Sequence, residues 1–428
     1  MQRFQGLIGV ALILGIAWLV SNNRKKINYR LVISGILLQI VIALLILKVS
    51  FVTAFFQKIG SIITYIEAFA KEGAAFVYGG LMADSPTGPI AYRTHGVFIF
   101  GFSVLATIIL VCVLVAIFYH IGVMQRIVSW VAKAMNWVMR VSGAEALSNV
   151  ASAFVGQVEA QVMIRPYLKG MTMSELLASM SGSLACIAGG ILVVYVSFGA
   201  KAEYLLAASI MAAPGALVIS KIVWPETEES ETMGKVKLEV KTPYTNIIDA
   251  ISHGASDGMK ISVNVIAMLI GFLGLIALVN FVLIKMGGWM HLDFPLTLDW
   301  IFGKIFSPMA WAMGVPSQDV APVATLLGKK LTINEFVAFA DLTQTPVVNA
   351  VGQTVNGYQS IISEKSLLIV SFAICGFANF SSVGMQIGGI GALAPERRSD
   401  LAKLGMRALL CGTLASYLSA TLAGLLMG

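Results

Sequence analysis

Four short clusters hold most of the side chains in this sequence that could do chemistry. They are Gly156-Gln157-Val158-Glu159, the pair Gly189-Gly190, Asn334-Glu335, and the run Phe377-Ala378-Asn379-Phe380-Ser381-Ser382. Each interrupts an apolar stretch. An ionisable or amide group kept in such surroundings is expensive, so it usually faces a cavity and a ligand. Carboxylates accept from vicinal hydroxyls, Gln and Asn both donate and accept at the edge of a heterocycle, and Phe377 can line an apolar wall. The set suits a neutral, polyhydroxylated ring compound. A carboxylate ligand would instead call for arginine or helix N-termini aimed into the site, and two glutamates oppose it. Structural alternatives stand beside these roles. Gln157 could glue helices together, Ser381 and Ser382 could bond back to their own helix, and Glu159 or Glu335 could pair with Lys329, Lys330 or Arg165.

Other chemistries find little support. Cys112, Cys186, Cys375 and Cys411 lie inside apolar runs without a CxxC pair, and His95, His120, His253 and His291 are far apart. Neither disulfide scaffold nor metal site follows from them. There is no GxSxG, no HExxH and no pair of aspartates within a span, so no enzyme and no cofactor is expected.

The elements that position the clusters must sit in a membrane. Of 428 residues 57% are hydrophobic and 12% charged, and the mean hydropathy is +0.85, whereas soluble domains carry about 25% charged residues. The formal charge of +7 does not imply nucleic acid. Its basic residues lie in short loops between apolar runs, where they report orientation. Eight runs approach the roughly 20 residues that a crossing helix needs: Leu7–Val20, Leu31–Leu47, Val97–Tyr119, Leu176–Phe198, Leu205–Trp224, Ile261–Ile284, Leu367–Ala392 and Met406–Met427. Arg24, Lys25, Lys26 and Arg30 follow the first run directly. The first run is therefore a retained span with its N-terminus outside.

Two further segments are apolar but broken. Ser148–Pro166 reads as a re-entrant hairpin from the cytoplasm, and Val320–Val348 as one from outside. Irregular backbone at membrane depth is tolerated only where protein or a water-filled cavity covers it, so such breaks mark a site. The charged stretch Pro225–Asp249 reads as a solvated cytoplasmic loop. A weak internal repeat relates the halves: after each hairpin comes an acidic residue and an interrupted span, Glu175 before Ser183–Gly190 and Glu364 before Cys375–Ser382. The fold class expected is an all-α polytopic membrane protein with eight transmembrane helices and two re-entrant hairpins in an inverted repeat.

GQVEAQVMIRP (Gly156–Pro166), GKKLTINEF (Gly328–Phe336) and CGFANFSSVG with APERR (Cys375–Arg398) closely resemble signature segments of the concentrative nucleoside transporter family. The short N-terminus is similar to its bacterial branch. Alternating eight spans from an outside N-terminus, with most basic residues then in the cytoplasm, puts both termini outside. The resemblance implies a multi-pass nucleoside symporter of the bacterial inner membrane, working as a homotrimer by an elevator mechanism. It implies a fixed scaffold from residues 1–118 and 259–312, and a moving transport unit from 119–258 and 313–428. Carried over residue by residue, Gln157 and Glu159 would face the nucleobase, with Ile191 packing on it. Asn334, Glu335, Phe377, Asn379 and Ser382 would hold the ribose.

The chain departs from that pattern at the coupling ion. Sodium-coupled members place side-chain oxygens at positions that are Ser152, Val158 and Cys186 here. Sodium is a hard cation that wants several oxygen ligands, and valine and cysteine supply none from their side chains. Proton coupling is the tighter expectation, with Glu159 as first carrier and Glu335 as second. A sodium-coupled symporter and an elevator for another small polar solute are the alternatives. Gln161 also stands where the family usually has proline, and Phe339 where it has tyrosine.

Overall fold

The computed structural model describes residues 2–78, 100–233, 244–348 and 353–427. His95, the start of the expected span Val97–Tyr119 and the centre of the charged loop Pro225–Asp249 lie outside the described residues.

The chain opens with α1 (Gln2–Leu19), α2 (Tyr29–Lys48), α3 (Ser50–Tyr78) and α4 (Phe100–His120). Asn28 starts α2 by accepting from the Leu31 amide at 3.2 Å, which satisfies one of the donors a helix start leaves free. No expected span corresponds to α3. Lys58, Lys71 and Glu72 fall within its 29 residues, so no unbroken apolar run announces it. Its Phe51, Phe55, Ile62, Tyr65, Phe69 and Phe76 are exposed and recur at helical spacing on one face. At Gly122, whose φ is +79°, the chain bends by 75° from α4 into α5 (Val123–Met139).

Beyond α5 the chain builds one kind of unit twice. The first unit consists of α6 (Gly143–Ser152) and α7 (Glu159–Val162) as hairpin 1, α8 (Met173–Ala185) and α9 (Gly189–Ser197) as a broken span, and α10 (Ala202–Val223). Two helices intervene, α11 (Ile247–Trp289) and α12 (Leu298–Ala312). The second unit consists of α13 (Val320–Thr332) and α14 (Glu335–Thr343) as hairpin 2, α15 (Glu364–Ile374) and α16 (Phe380–Leu393) as a broken span, and α17 (Arg398–Met427). A small antiparallel ribbon pairs Pro346–Val348 with Thr354–Asn356 ahead of α15. In each unit the first hairpin arm packs on the first half of the broken span, and that half packs on the long helix. The long helices α10 and α17 pack against each other and join the units. The repeat expected from the sequence is therefore present in the packing.

Cap chemistry sets the starts of these helices. Ser142 with Glu145 opens α6, and Thr172 with Glu175 opens α8, each as a reciprocal capping box. Asn334 opens α14 and Asn379 opens α16. Between the halves of the broken spans the backbone is extended, and the two breaks meet: the Phe377 amide donates to the Cys186 carbonyl at 3.3 Å. Gly376 makes this approach possible. Its φ is +130°, and a Cβ there would stand 2.3 Å from the Ala185 carbonyl oxygen.

Five described helices or broken spans are long and apolar enough to cross a membrane, or six if the bent pair of α4 and α5 counts as one. Eight spans were expected. The helices matching Leu7–Val20 and the second half of Leu367–Ala392 are apolar but shorter. Two expected domain boundaries fall inside helices: that between residues 118 and 119 in the last turn of α4, and that between 258 and 259 in α11, a single helix of 43 residues. It runs along α4 and continues the chain past that point without a break.

Candidate substrate-binding site

A cavity of about 440 Å³ lies between hairpin 1, the two crossed breaks, α4 and α11. Seven of the eight expected substrate residues line it: Gln157, Glu159, Ile191, Glu335, Phe377, Asn379 and Ser382. Asn334 does not. It stands behind the wall as the cap of α14, its Oδ1 accepting from the Val337 amide at 3.0 Å.

Hairpin 1 delivers Gln157 and Glu159 through its turn. Gly156 has a φ of +115°, which favours glycine, and a Cβ there would stand 2.5 Å from Glu159 Oε2 and push that carboxylate from its place. Glu159 is exposed to the cavity. Gln157 is buried, with its Nε2 at 3.8 Å from Met385 Sδ and its Oε1 without a partner. The hairpin turn is fastened to the start of α9, where the Gly189 amide donates to the Phe154 carbonyl at 3.2 Å. Ile191 follows on the same helix and closes the wall.

Hairpin 2 and the second break supply the opposite side. Asn379 Nδ2 donates to Glu335 Oε2 at 2.7 Å. Asn379 Oδ1 meanwhile accepts from the Ser382 amide and the Ser381 hydroxyl, both at 2.8 Å. One asparagine thus caps α16 and holds the carboxylate that begins α14. Ser381 bonds to that cap and not back to its helix, while the Ser382 hydroxyl is buried without a partner. Asn334 Nδ2 is likewise buried and unpartnered.

Lys329, which could have made one of these carboxylates structural, pairs elsewhere, whereas the Lys330 charge interacts with Glu335 across a longer gap than an ion pair. Lys329 binds Asp341 at 2.5 Å and Asp299 at 2.9 Å, and the Lys330 ammonium is buried without a hydrogen-bond partner. The unpaired atoms at the cavity wall itself, Gln157 Oε1 and the Ser382 hydroxyl, are what a polar solute would satisfy.

The three positions marked as sodium-site equivalents have all been given other work. The Ser152 hydroxyl donates to the Ser148 carbonyl at 2.8 Å and lies 2.8 Å from Ser183 Oγ. Val158 packs on α16, its Cγ1 2.7 Å from where a Cβ on Gly389 would stand. Cys186 Sγ lies 3.9 and 3.8 Å from the carbonyls of Asn149 and Ser209.

Sequence reasoning missed the wall opposite hairpin 1. Gly254, Asp257, Ile261, Asn264 and Val265 of α11, with Cys112 and Tyr119 of α4, line the cavity. The signal was available, because Gly254, Asp257, Ile261 and Asn264 recur every three or four residues along one helix face.

The matches to known sequences agree with this architecture. Residues 204–424 match the family described as "Na+ dependent nucleoside transporter C-terminus". Residues 8–81 match its N-terminal counterpart, and residues 101–202 match a family described as "Nucleoside recognition". The chain belongs to the concentrative nucleoside transporter family. Members of that family are transporters and not enzymes. The chain is 36% identical over 424 residues to the "Nucleoside permease NupC" of Helicobacter pylori, covering 99% of this chain and 97% of that protein. It is also 36% identical over 432 residues to the human "Sodium/nucleoside cotransporter 1", covering 99% of this chain and 64% of that longer protein. Among solved structures, the transporter CNTnw in an inward-facing substrate-bound state is similar at a TM-score of 0.89 and 36% identity, covering 99% of both chains. As a member of the family, the chain is a multi-pass, mostly helical membrane transporter for nucleosides.

Proposed function

We propose that this transporter is a secondary active symporter that imports nucleosides across the bacterial inner membrane and is driven by protons. One observation carries the substrate reading. Glu335, Asn379 and Ser382 from the second unit face Gln157 and Glu159 from the first across one cavity, and two of these residues hold unpartnered polar atoms. Its volume of about 440 Å³ lies within the range of roughly 300–1,000 Å³ usual for small-molecule sites. Glu335 keeps one carboxylate oxygen free of Asn379 and accepts from a ribose hydroxyl; Phe377, Asn379 and Ser382 complete the sugar side, and Asn334 supports it from behind as the cap of α14. Gln157 and Glu159 read the nucleobase edge, with Ile191 against the ring.

The proton reading rests on Ser152, Val158 and Cys186. None offers a free side-chain oxygen, and a hard cation needs several. Glu159 is the proton carrier, exposed to the cavity in this conformation and desolvated when the site occludes; Glu335 is the second candidate. Sodium coupling is the competing reading, favoured by the description of the matched family and the name of the human relative. Uptake of labelled nucleosides into proteoliposomes separates them. An imposed pH gradient should drive accumulation and a sodium gradient should not. Saturable stimulation by sodium that survives collapse of the pH gradient would overturn the proton assignment.

Transport in this reading is an elevator movement of the two repeated units against a scaffold that includes α3, α4 and α11, within a homotrimer whose termini lie outside. Large apolar side chains stand exposed on α3 and α11, among them Phe51, Phe76, Ile270 and Leu278. Such faces need lipid or neighbouring copies to cover them.

A further inference from the structure

Gln161 sits on hairpin 1 just beyond the substrate cavity, fully buried among four serines. Its Nε2 donates to Ser148 Oγ at 3.0 Å and to Ser183 Oγ at 2.7 Å. Its Oε1 accepts from Ser179 Oγ at 2.6 Å. Ser148 Oγ and Ser179 Oγ are 2.6 Å apart, and Ser183 Oγ and Ser152 Oγ 2.8 Å apart.

Counting hydrogens gives these contacts a single direction, because a serine has one to donate. Ser179 gives its hydrogen to Gln161, so Ser148 donates to Ser179, and Gln161, Ser148 and Ser179 form a closed cycle. Ser152 gives its hydrogen to the Ser148 carbonyl, so Ser183 must donate to Ser152. Each of the six hydrogens, two from the amide and four from hydroxyls, then has one acceptor. A self-satisfied buried network of this kind holds its elements together; here it fastens both arms of hairpin 1 to α8.

We propose that Gln161 is the residue that frees hairpin 1 from any need for a bound cation: its amide nitrogen is a built-in donor among hydroxyl oxygens that could otherwise take a small hard cation. The proposal deepens the ion-coupling reading above and rests on it. Replacing the amide by a carboxylate reverses the bookkeeping of hydrogens. Ser148 and Ser183 would turn their hydrogens to the carboxylate, leaving lone pairs opposed between Ser148 and Ser179 and between Ser183 and Ser152. A cation with oxygen affinity relieves that opposition.

The test is thermal unfolding of the purified transporter at pH 8, with sodium chloride exchanged for choline chloride at constant ionic strength. Wild type should unfold at the same temperature in both salts. Gln161→Met, which fills similar volume without the amide, should unfold several degrees lower in both. Gln161→Glu should unfold lower in choline and regain stability saturably with sodium, as ligand linkage requires. A saturable sodium response in wild type, a Gln161→Met protein as stable as wild type, or a Gln161→Glu protein blind to sodium would each overturn the proposal. Should Gln161→Glu fail to fold, the other two proteins decide it. The readout needs no nucleoside uptake, so it separates failure of this proposal from failure of the symport reading.

Discussion

The amide of Phe377 donates to the carbonyl of Cys186, so the broken span of one repeat holds open the break of the other. The substrate cavity takes its floor from that crossing, since Ile191 follows one break and Asn379 follows the other.

Gly376→Ala should therefore damage both stability and transport. At φ +130° an L side chain carries about 1–3 kcal/mol of strain, and the Ala185 carbonyl blocks the added methyl as well. The expected outcome is a lower unfolding temperature and nucleoside uptake reduced to background. Uptake at wild-type rate in proteoliposomes with matched protein content would show that the crossing is not needed.

Glu335→Gln should lower initial uptake by more than about tenfold, because charge-assisted hydrogen bonds are roughly twice as strong as neutral ones. Asn379→Ala should do the same and should also weaken α16 by removing its cap. Equal wild-type affinity for ribose-containing and ribose-free ligands would show that this side of the cavity does not bind sugar.

Glu159→Gln should abolish accumulation driven by a pH gradient and spare part of the exchange of internal for external nucleoside. The glutamine keeps the shape at the cavity wall but cannot carry a proton. Undiminished pH-driven accumulation in this variant would move the carrier role to another group.

A fourth expectation concerns pH and stability at the end of the bundle where α10 and α15 begin. Hydrogen bonds from Lys201 and Tyr204 hold the Glu364 carboxyl below the usual carboxylate range. A depressed folded-state pKa contributes stability that is complete above the unfolded value and is lost as pH falls through the folded one. Glu364→Gln should thus unfold slightly below wild type at pH 7, with the gap closing below about pH 4. The effect is small because Lys201 and Glu364 are both substantially exposed. A gap that stays constant from pH 7 to pH 3 would rule out the ion pair as its source.

Much of this design is legible in the chain. Asn334, Glu335 and Asn379 stand out because polar groups are rare in apolar segments, and the structure brings Glu335 and Asn379 into direct contact. Thr172 with Glu175 announces the start of α8. Other features are hidden by the same composition that reveals these. α3 has no continuous apolar run, since its apolar residues are gathered on one face. Asp257 and Asn264 look like isolated polar residues until the helix period places them beside Ile261. Gln161 reads only as a departure from a familiar proline, because its three serine partners lie up to 22 residues away and meet it only after α8 folds back.

The length of α11 carries a last consequence. Its 43 residues extend about 64 Å at 1.5 Å per residue, roughly twice the ~30 Å of a bilayer's hydrocarbon core. The excess is taken up by tilting or by projecting the polar first turns around Asp249 and His253 beyond the lipid. Because the first half of this helix, from Gly254 to Val265, also forms one wall of the cavity, any adjustment to a thicker or thinner membrane is felt there. Bilayer thickness becomes a variable of transport, acting on the passage for the solute through the lean of a single rod.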